Sequence, residues 1–423
     1  MMQPAVKRDP YSSLRNGEFR RYILGRFFYT VSIQMQAVVV GWLIYDLTHD
    51  PLSLGLIGLA EAVPALSVAL YAGHVADRFN RKKIIIAGLL VLILCSLILM
   101  GFASAAHFRI EFPVPVVHGI YAIIFLSGIA RGFLFPALFA FWSQLIPRNL
   151  YANASIWNST VWQSGAIVGP AAGGIAYGFL GSSGAFAIDA AILFSGALMI
   201  ATIPEKPLAF AGKHEDILKS LTAGIGFVFR NQMILGAISL DLFAVLFGGA
   251  TALLPVFAAE ILLVGPEGLG LLRAAPSIGA FVMALFMIIR PPGVNAGRNL
   301  LFSVLGYGVS MIVFALSTNF YLSLFALALS GAFDNVSVVI RSTIIQLLTP
   351  EEMRGRVASV NTMFIGSSNE IGAFESGVAA RVLGTVPSVI FGGVMTLIVV
   401  VTTTIIAPKL RRLNIHRLSE ARD

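Results

Sequence analysis

One cysteine and six histidines are scarce material for metal or disulfide chemistry in a chain of 423 residues, and only 12% of the residues are charged. Cys95 lies inside an apolar run with no second cysteine to pair with, and the histidines are scattered without metal-ligand spacing, so no metal site is expected. The His-Glu-x-x-His pair of a zinc hydrolase, a nucleophile elbow and a Walker phosphate loop are all missing. An enzyme is therefore not expected, nor ATP as an energy source. The first 20 residues are polar and charged, which argues against a cleavable signal peptide. What fills the chain instead is oil: 57% of residues are hydrophobic and the mean hydropathy is +0.85. That excludes a soluble multidomain enzyme.

About 20 apolar residues in a helix cross the ~30 Å hydrocarbon core of a bilayer. Runs of that length, bounded by polar residues, Gly or Pro, predict twelve spans near 21–46, 52–76, 83–104, 117–146, 152–181, 184–203, 232–263, 266–290, 299–317, 320–348, 355–383 and 386–407. They lack the alternation of barrel strands, so helices are expected. The fold class is an all-α membrane protein. Its predicted parts are a six-helix half over 1–203, a cytoplasmic linker over 204–231, and a second six-helix half with a tail over 232–423. The linker should carry an amphipathic piece around Ile217–Phe229.

The formal charge of +8 is not a nucleic-acid signal, because most basic residues sit in short loops on one side of the spans. Arg20, Arg21, Arg78, Arg81, Lys82, Lys83, Arg148, Lys206, Arg230, Arg290, Arg298, Arg354 and Arg411 all fall on that side, whereas Arg109 and Arg381 fall opposite. Basic loops stay inside. A multi-pass protein of the cell (inner) membrane with both termini cytoplasmic is expected.

The halves repeat. QLIPRNLYANASIWNS (144–159) and LLTPEEMRGRVASVNT (347–362) align with Pro147 on Pro350 and Asn158 on Asn361. The same offset pairs Gly169 with Gly372, Gly174 with Gly377, and Arg131 with Asp334. Two related six-helix halves are a recurrent transporter architecture.

One charge knot interrupts the oil. GHVADRFNRKK (73–83) resembles the G-x-x-x-D-R-x-x-R-[KR] signature of the major facilitator superfamily and falls, as there, between spans two and three. Asn80 stands where that family usually has glycine. A positive-inside loop accounts for the basic residues but not for Gly73 or Asp77. Gly73 should let span two approach a partner helix closely. Asp77 can face the positive N-terminus of another helix. The resemblance implies that this helix is span eleven and that Gly73, Asp77, Arg78 and Arg81 form a gating latch. SGAIVGPAAGG (164–174) is similar to the superfamily's antiporter motif, with Gly165, Gly169, Pro170, Gly173 and Gly174 in span five. Its second-half counterpart, NEIGAFESG (369–377), lacks the proline and carries Glu370 and Glu375. Arg131 matches the family's intramembrane arginine. WLIYDLTHDPLSLG (42–55) and EAVPALSVALYAGHVADR (61–78) resemble the branch containing the enterobactin exporter and macrolide-efflux proteins.

That resemblance implies the major facilitator fold with pseudo-symmetric halves. It also implies a secondary active transporter exporting a bulky small molecule, a siderophore or drug-like compound, by proton antiport and alternating access. The other readings are a facilitator or importer on the same scaffold, including a lipid-moving transporter, and a non-transporting membrane sensor. No cofactor is expected beyond the proton gradient. The expected partners are a small-molecule substrate, protons and the lipid bilayer, and the expected functional unit is a monomer.

Ionisable groups within spans cost about 2.5–3.5 kcal/mol each on insertion scales, so each calls for a reason. Arg26, Arg131 and Arg341 are the intramembrane cations singled out, with Arg273 a further one. Proton antiport needs a carboxyl that loads and releases a proton between the two faces. Asp241 is the first candidate, since its own helix offers no cation; Glu61, Asp334 and Glu370 follow. Asp189 is expected to be a structural cap or packing hydrogen-bonder near the external end of span six.

Overall fold

Lipid offers the backbone no partner, so every spanning segment must satisfy its own amides and carbonyls. Helix is accordingly the only regular structure among the described residues, which in this computed structural model are 9–108, 115–207, 217–290, 295–411 and 413. The elements are α1 Gly17–Thr48, α2 Pro51–Arg78, α3 Arg81–His107, α4 Val116–Phe141, α5 Tyr151–Ala201 and α6 Ile217–Arg230. They continue as α7 Gln232–Phe247, α8 Gly265–Ile289, α9 Ala296–Leu316, α10 Phe320–Leu348, α11 Arg354–Leu383 and α12 Thr385–Ile406.

Ten helical stretches among the described residues are long and apolar enough to cross a membrane. One of them, Arg148–Ala201, is two spans in series: Gly181, at φ 69°, breaks α5 where only glycine turns without strain. α11, more polar than the ten, brings the number to twelve. Asparagines start several helices by accepting from free amides of the first turn. Asn231 accepts from Met233 N and Ile234 N at 3.1 and 3.3 Å, and Asn319 from Tyr321 N and Leu322 N at 2.9 and 3.1 Å.

Contacts divide the chain into two compact units. The first comprises Met1–Gln36, Val63–Gly169 and Leu180–Ala211; the second comprises Ala37–Ala62, Pro170–Phe179 and Gly212–Asp423. The segments 37–62 and 170–179, which lie at the helix ends opposite the basic loops, thus belong with the second unit. Phe19, Tyr22, Leu89, Leu134 and Phe141 anchor the core of the first unit. Phe257, Phe314, Leu254 and Leu272 anchor one core of the second. α6 is the amphipathic piece of the linker, and its Val228 is buried with Ile234 of α7 and Val357 and Val360 of α11.

The sequence repeat has a structural counterpart. Pro147 (ψ 153°) precedes a 3-10 turn, Arg148–Leu150, that opens α5. Pro350 (ψ 151°) precedes an equivalent turn, Glu351–Met353, that opens α11.

Candidate functional site

The basic loop between α2 and α3 is held by Arg81. Its Nε donates to Ala76 O and its Nη1 to Ala140 O, both at 3.1 Å. Those carbonyls lie in the last turns of α2 and α4, where helix dipoles favour a cation. Asn80 caps α3 through Lys83 N, which explains why this chain tolerates asparagine there. Arg78 is exposed, and a Cβ added at Gly73 would meet no atom of the described residues within 4 Å. The side chain of Asp77, the acid of the expected latch, lies outside the described residues. Arg81→Met should therefore lower stability by about 2 kcal/mol, the net worth of two charge-assisted bonds partly open to solvent. Arg78→Met should leave it unchanged. Thermal unfolding in detergent measures both.

Inside the first unit, polar groups from four spans form one chain. Arg131 Nη2 on α4 donates to Gln36 Oε1 on α1 at 2.6 Å, and Gln36 Nε2 donates to Ser96 Oγ on α3 at 3.3 Å. Ser96 and Ser32 hydroxyls donate to the Asp189 carboxylate at 2.6 and 2.5 Å. Asp189 has no exposed surface. It is the hydrogen-bonded packing group its sequence context indicates, yet it also terminates a relay leading to Arg131. Arg26 Nη1 donates to Tyr22 Oη at 3.1 Å, and Tyr22 Oη donates to Leu138 O at 3.1 Å, joining α1 to α4.

In the second unit the corresponding place holds a direct ion pair. α7 stops at Phe247, and the chain continues through Gly248 and Gly249 into a 3-10 turn, a short helical turn and a π-turn, Phe257–Ile261. Span seven is therefore discontinuous, where its apolarity predicts one run over 232–263. Tyr307 Oη donates to the freed Gly248 carbonyl at 3.0 Å. A pocket beside the break is lined by Asp241, Ser303, Tyr307, Phe333, Asp334 and Ser337.

Asp241 does not stand alone there. Arg341 of α10 forms a buried ion pair with it, which corrects the expectation that it lacks a permanent cation. Its own helix indeed supplies none; a neighbouring helix does. Asp334, on the same face of α10 two turns earlier, is half-buried and has no ion pair among the described residues. The repeat pairs it with Arg131, so equivalent places in the two halves carry opposite charge. Glu61 and Glu370 are both electrostatic neighbours of Arg273, which brings acids of α2 and α11 to one cation of α8.

The antiporter-type glycines pack against two different helices. A Cβ at Gly165 would lie 2.6 Å from Thr30 Cγ2, and one at Gly169 would lie 2.6 Å from both Gln34 Cβ and Val31 O, so this part presses on α1. Beyond Pro170 the stripe turns to α8, where a Cβ at Gly174 would lie 2.9 Å from Gly270 Cα. The second-half glycines repeat the scheme. Gly372 presses on α7, with Leu246 O 2.8 Å from its added Cβ, and Gly377 crosses α2 with Gly55 Cα at 2.9 Å. Both Gly–Gly crossings lie at the ends opposite the basic loops. There Tyr45 Oη also donates to Glu260 Oε1 at 2.5 Å, and Arg381 pairs with Asp50 at 3.7 Å.

Residues 8–420 match a sequence family described as transmembrane secretion effector. Among curated proteins, the enterobactin exporter EntS of Escherichia coli O1:K1 / APEC is 29% identical over 396 residues, covering 93% of this chain and 92% of that one. The EntS of Shigella flexneri is 29% identical over 398 residues, with the same coverage. Solved transporter structures share the architecture at low identity. A bacterial homologue of the iron transporter ferroportin, in an inward-facing state, superposes with a TM-score of 0.71 at 14% identity, covering 95% of this chain and 99% of that one. A peptide-complexed transporter of the POT family gives a TM-score of 0.70 at 13% identity, covering 93% and 96%.

Proposed function

Because the chain belongs to the transmembrane secretion effector family of the major facilitator superfamily, we propose that this membrane transporter exports a bulky, siderophore-like small molecule by proton antiport. The observation that carries this reading is the likeness to enterobactin exporters along nearly the whole chain.

The interior chemistry supports the coupling part. An export step against a gradient needs a group that changes its charge between the two faces. Asp241, Glu61 and Glu370 each have a basic neighbour, so their charge is already balanced in part. Asp334 has none among the described residues and lines the same pocket as Asp241, the partner of Arg341. We assign it the exchanged proton. In this reading a neutral Asp334 leaves Arg341 on Asp241, whereas an ionised one competes for the guanidinium and rearranges α10 against α7. The glycine crossings of α5 with α8 and α2 with α11 close the outer face in one state and part in the other, which is alternating access. Both termini are cytoplasmic in this scheme, because the basic loops lie on their side.

Untargeted metabolite profiling of medium from cells with and without the protein tests the export claim. A polar chelator or comparable bulky product should be depleted from the medium and retained inside when the protein is lost. An unchanged medium, with altered uptake instead, would replace export by import or facilitated entry.

A further inference from the structure

We propose that a groove between α9 and α12, at their ends near the basic loops, is a binding site for an anionic phospholipid. The groove encloses about 1350 Å³ of empty volume, counting its open mouth. Its floor is apolar: Phe302 and Leu305 of α9 face Val401 and Ile405 of α12. Phe302 is 58% and Ile405 73% exposed, so in a bilayer these surfaces meet acyl chains. At the rim stand two arginines, Arg298 and Arg411, both exposed. Neither pairs with a carboxylate among the described residues, and Arg298 lies over the Phe302 ring at 5.8 Å.

The rim is built rather than accidental. After α12 the chain turns back, and Ala407, Leu410 and Leu413 are buried with Ala296, Leu300 and Leu301 of α9. Gly297 N donates to Leu413 O at 3.3 Å, and glycine is required at 297 because the Leu410 carbonyl occupies the place of a Cβ. This docking delivers Arg411 from the tail to the side of Arg298. The first turn of α9 adds its positive end, since Asn295 makes no side-chain cap there. An apolar slot topped by two unpaired guanidiniums fits one acyl chain and its phosphate, and such basic pockets between helices are lipid headgroup sites. A free anion would use the arginines but not the slot, and a zwitterionic lipid would use the slot but gain little from the arginines. The site is independent of the identity of the exported cargo.

Native mass spectrometry of the full chain, titrated in mild detergent with phosphatidylglycerol or with phosphatidylcholine of the same chains, tests the proposal. Each arginine near a net-anionic headgroup is worth roughly fivefold in binding, so phosphatidylglycerol, which lacks the choline cation that neutralises the phosphate of phosphatidylcholine, should bind about 30-fold more tightly. Arg298→Gln with Arg411→Gln should erase that preference, whereas Lys at both positions should retain most of it. Leu305→Trp, which fills the slot, should weaken both lipids. Inorganic phosphate should fail to displace the lipid. Equal binding of the two lipids to the wild type, an undiminished preference in the double Gln variant, or displacement by phosphate would each overturn it. Both arginines are exposed, so the variants should fold, and thermal unfolding verifies that they do.

Discussion

Asp334→Asn should abolish uphill transport while exchange down a gradient persists. In proteoliposomes holding about 100 mV, each exchanged charge is worth ~2.3 kcal/mol, or roughly 50-fold accumulation of cargo. An asparagine cannot release a proton, so the variant should equilibrate cargo and stop. Asp241→Asn should behave differently. It leaves Arg341, which is 3% exposed, without its acid, and stranding one member of a buried pair costs about 3–5 kcal/mol. Its signature is a lowered melting temperature, restored when Arg341→Gln is added. A well-folded Asp241→Asn protein that cannot concentrate cargo, beside an Asp334→Asn protein that can, would reverse the assignment. Transport indifferent to collapse of the pH gradient would remove proton antiport altogether.

Gly377→Val should trap the transporter with its outer helix ends apart. A Cβ at this position lies 2.9 Å from Gly55 Cα and 3.1 Å from Pro51 O, and backbone atoms cannot swing aside as a side chain does. Overpacking of this kind costs about 1–3 kcal/mol. Charged wholly to one conformation, that shifts populations by roughly 5- to 150-fold, and turnover should fall accordingly. Cys95 is the chain's one cysteine and is buried. Tyr177, half-buried on α5 one turn beyond Gly174 and against Trp42 of α1, lies at these outer ends, so a Tyr177→Cys reporter in a Cys95→Ser background should label faster once Gly377→Val is present. Gly169→Leu makes the contrast. It forces apart α1 and α5 within the first unit, so it should lower the melting temperature rather than shift an equilibrium. Wild-type turnover and labelling in Gly377→Val would reduce the crossing to ordinary packing.

Much of this was legible in the sequence, for physical reasons. Apolar length and polar breaks mark spans because a bilayer imposes a minimum length on each. The repeat was legible because Pro147 and Pro350 each set an extended residue before a tight turn, and because Gly174 and Gly377 each permit a crossing that no side chain allows. What escaped was chiefly what depends on another helix. The neighbourhood of Asp241 in sequence contains no cation; Arg341 reaches it from α10. The break in span seven had a signal, Gly248–Gly249, but the unbroken apolarity around it outweighed two glycines. Asp189 reads as a simple packing group, and only the fold reveals that Ser96 and Gln36 carry its contacts to Arg131.

The Asp241–Arg341 pair also sets an order of events during synthesis. Residue 341 follows residue 241 by 100 positions, about 5–20 s of elongation at about 5–20 residues per second. Through that interval α7 carries an acid whose cation has yet to be made, a burden of about 2.5–3.5 kcal/mol if the helix enters lipid at once. Helix α7 should therefore linger at the insertion site, or bind water there, until α10 emerges. Chains cut short after α9 are committed to that unneutralised state, which makes them natural targets for membrane quality control.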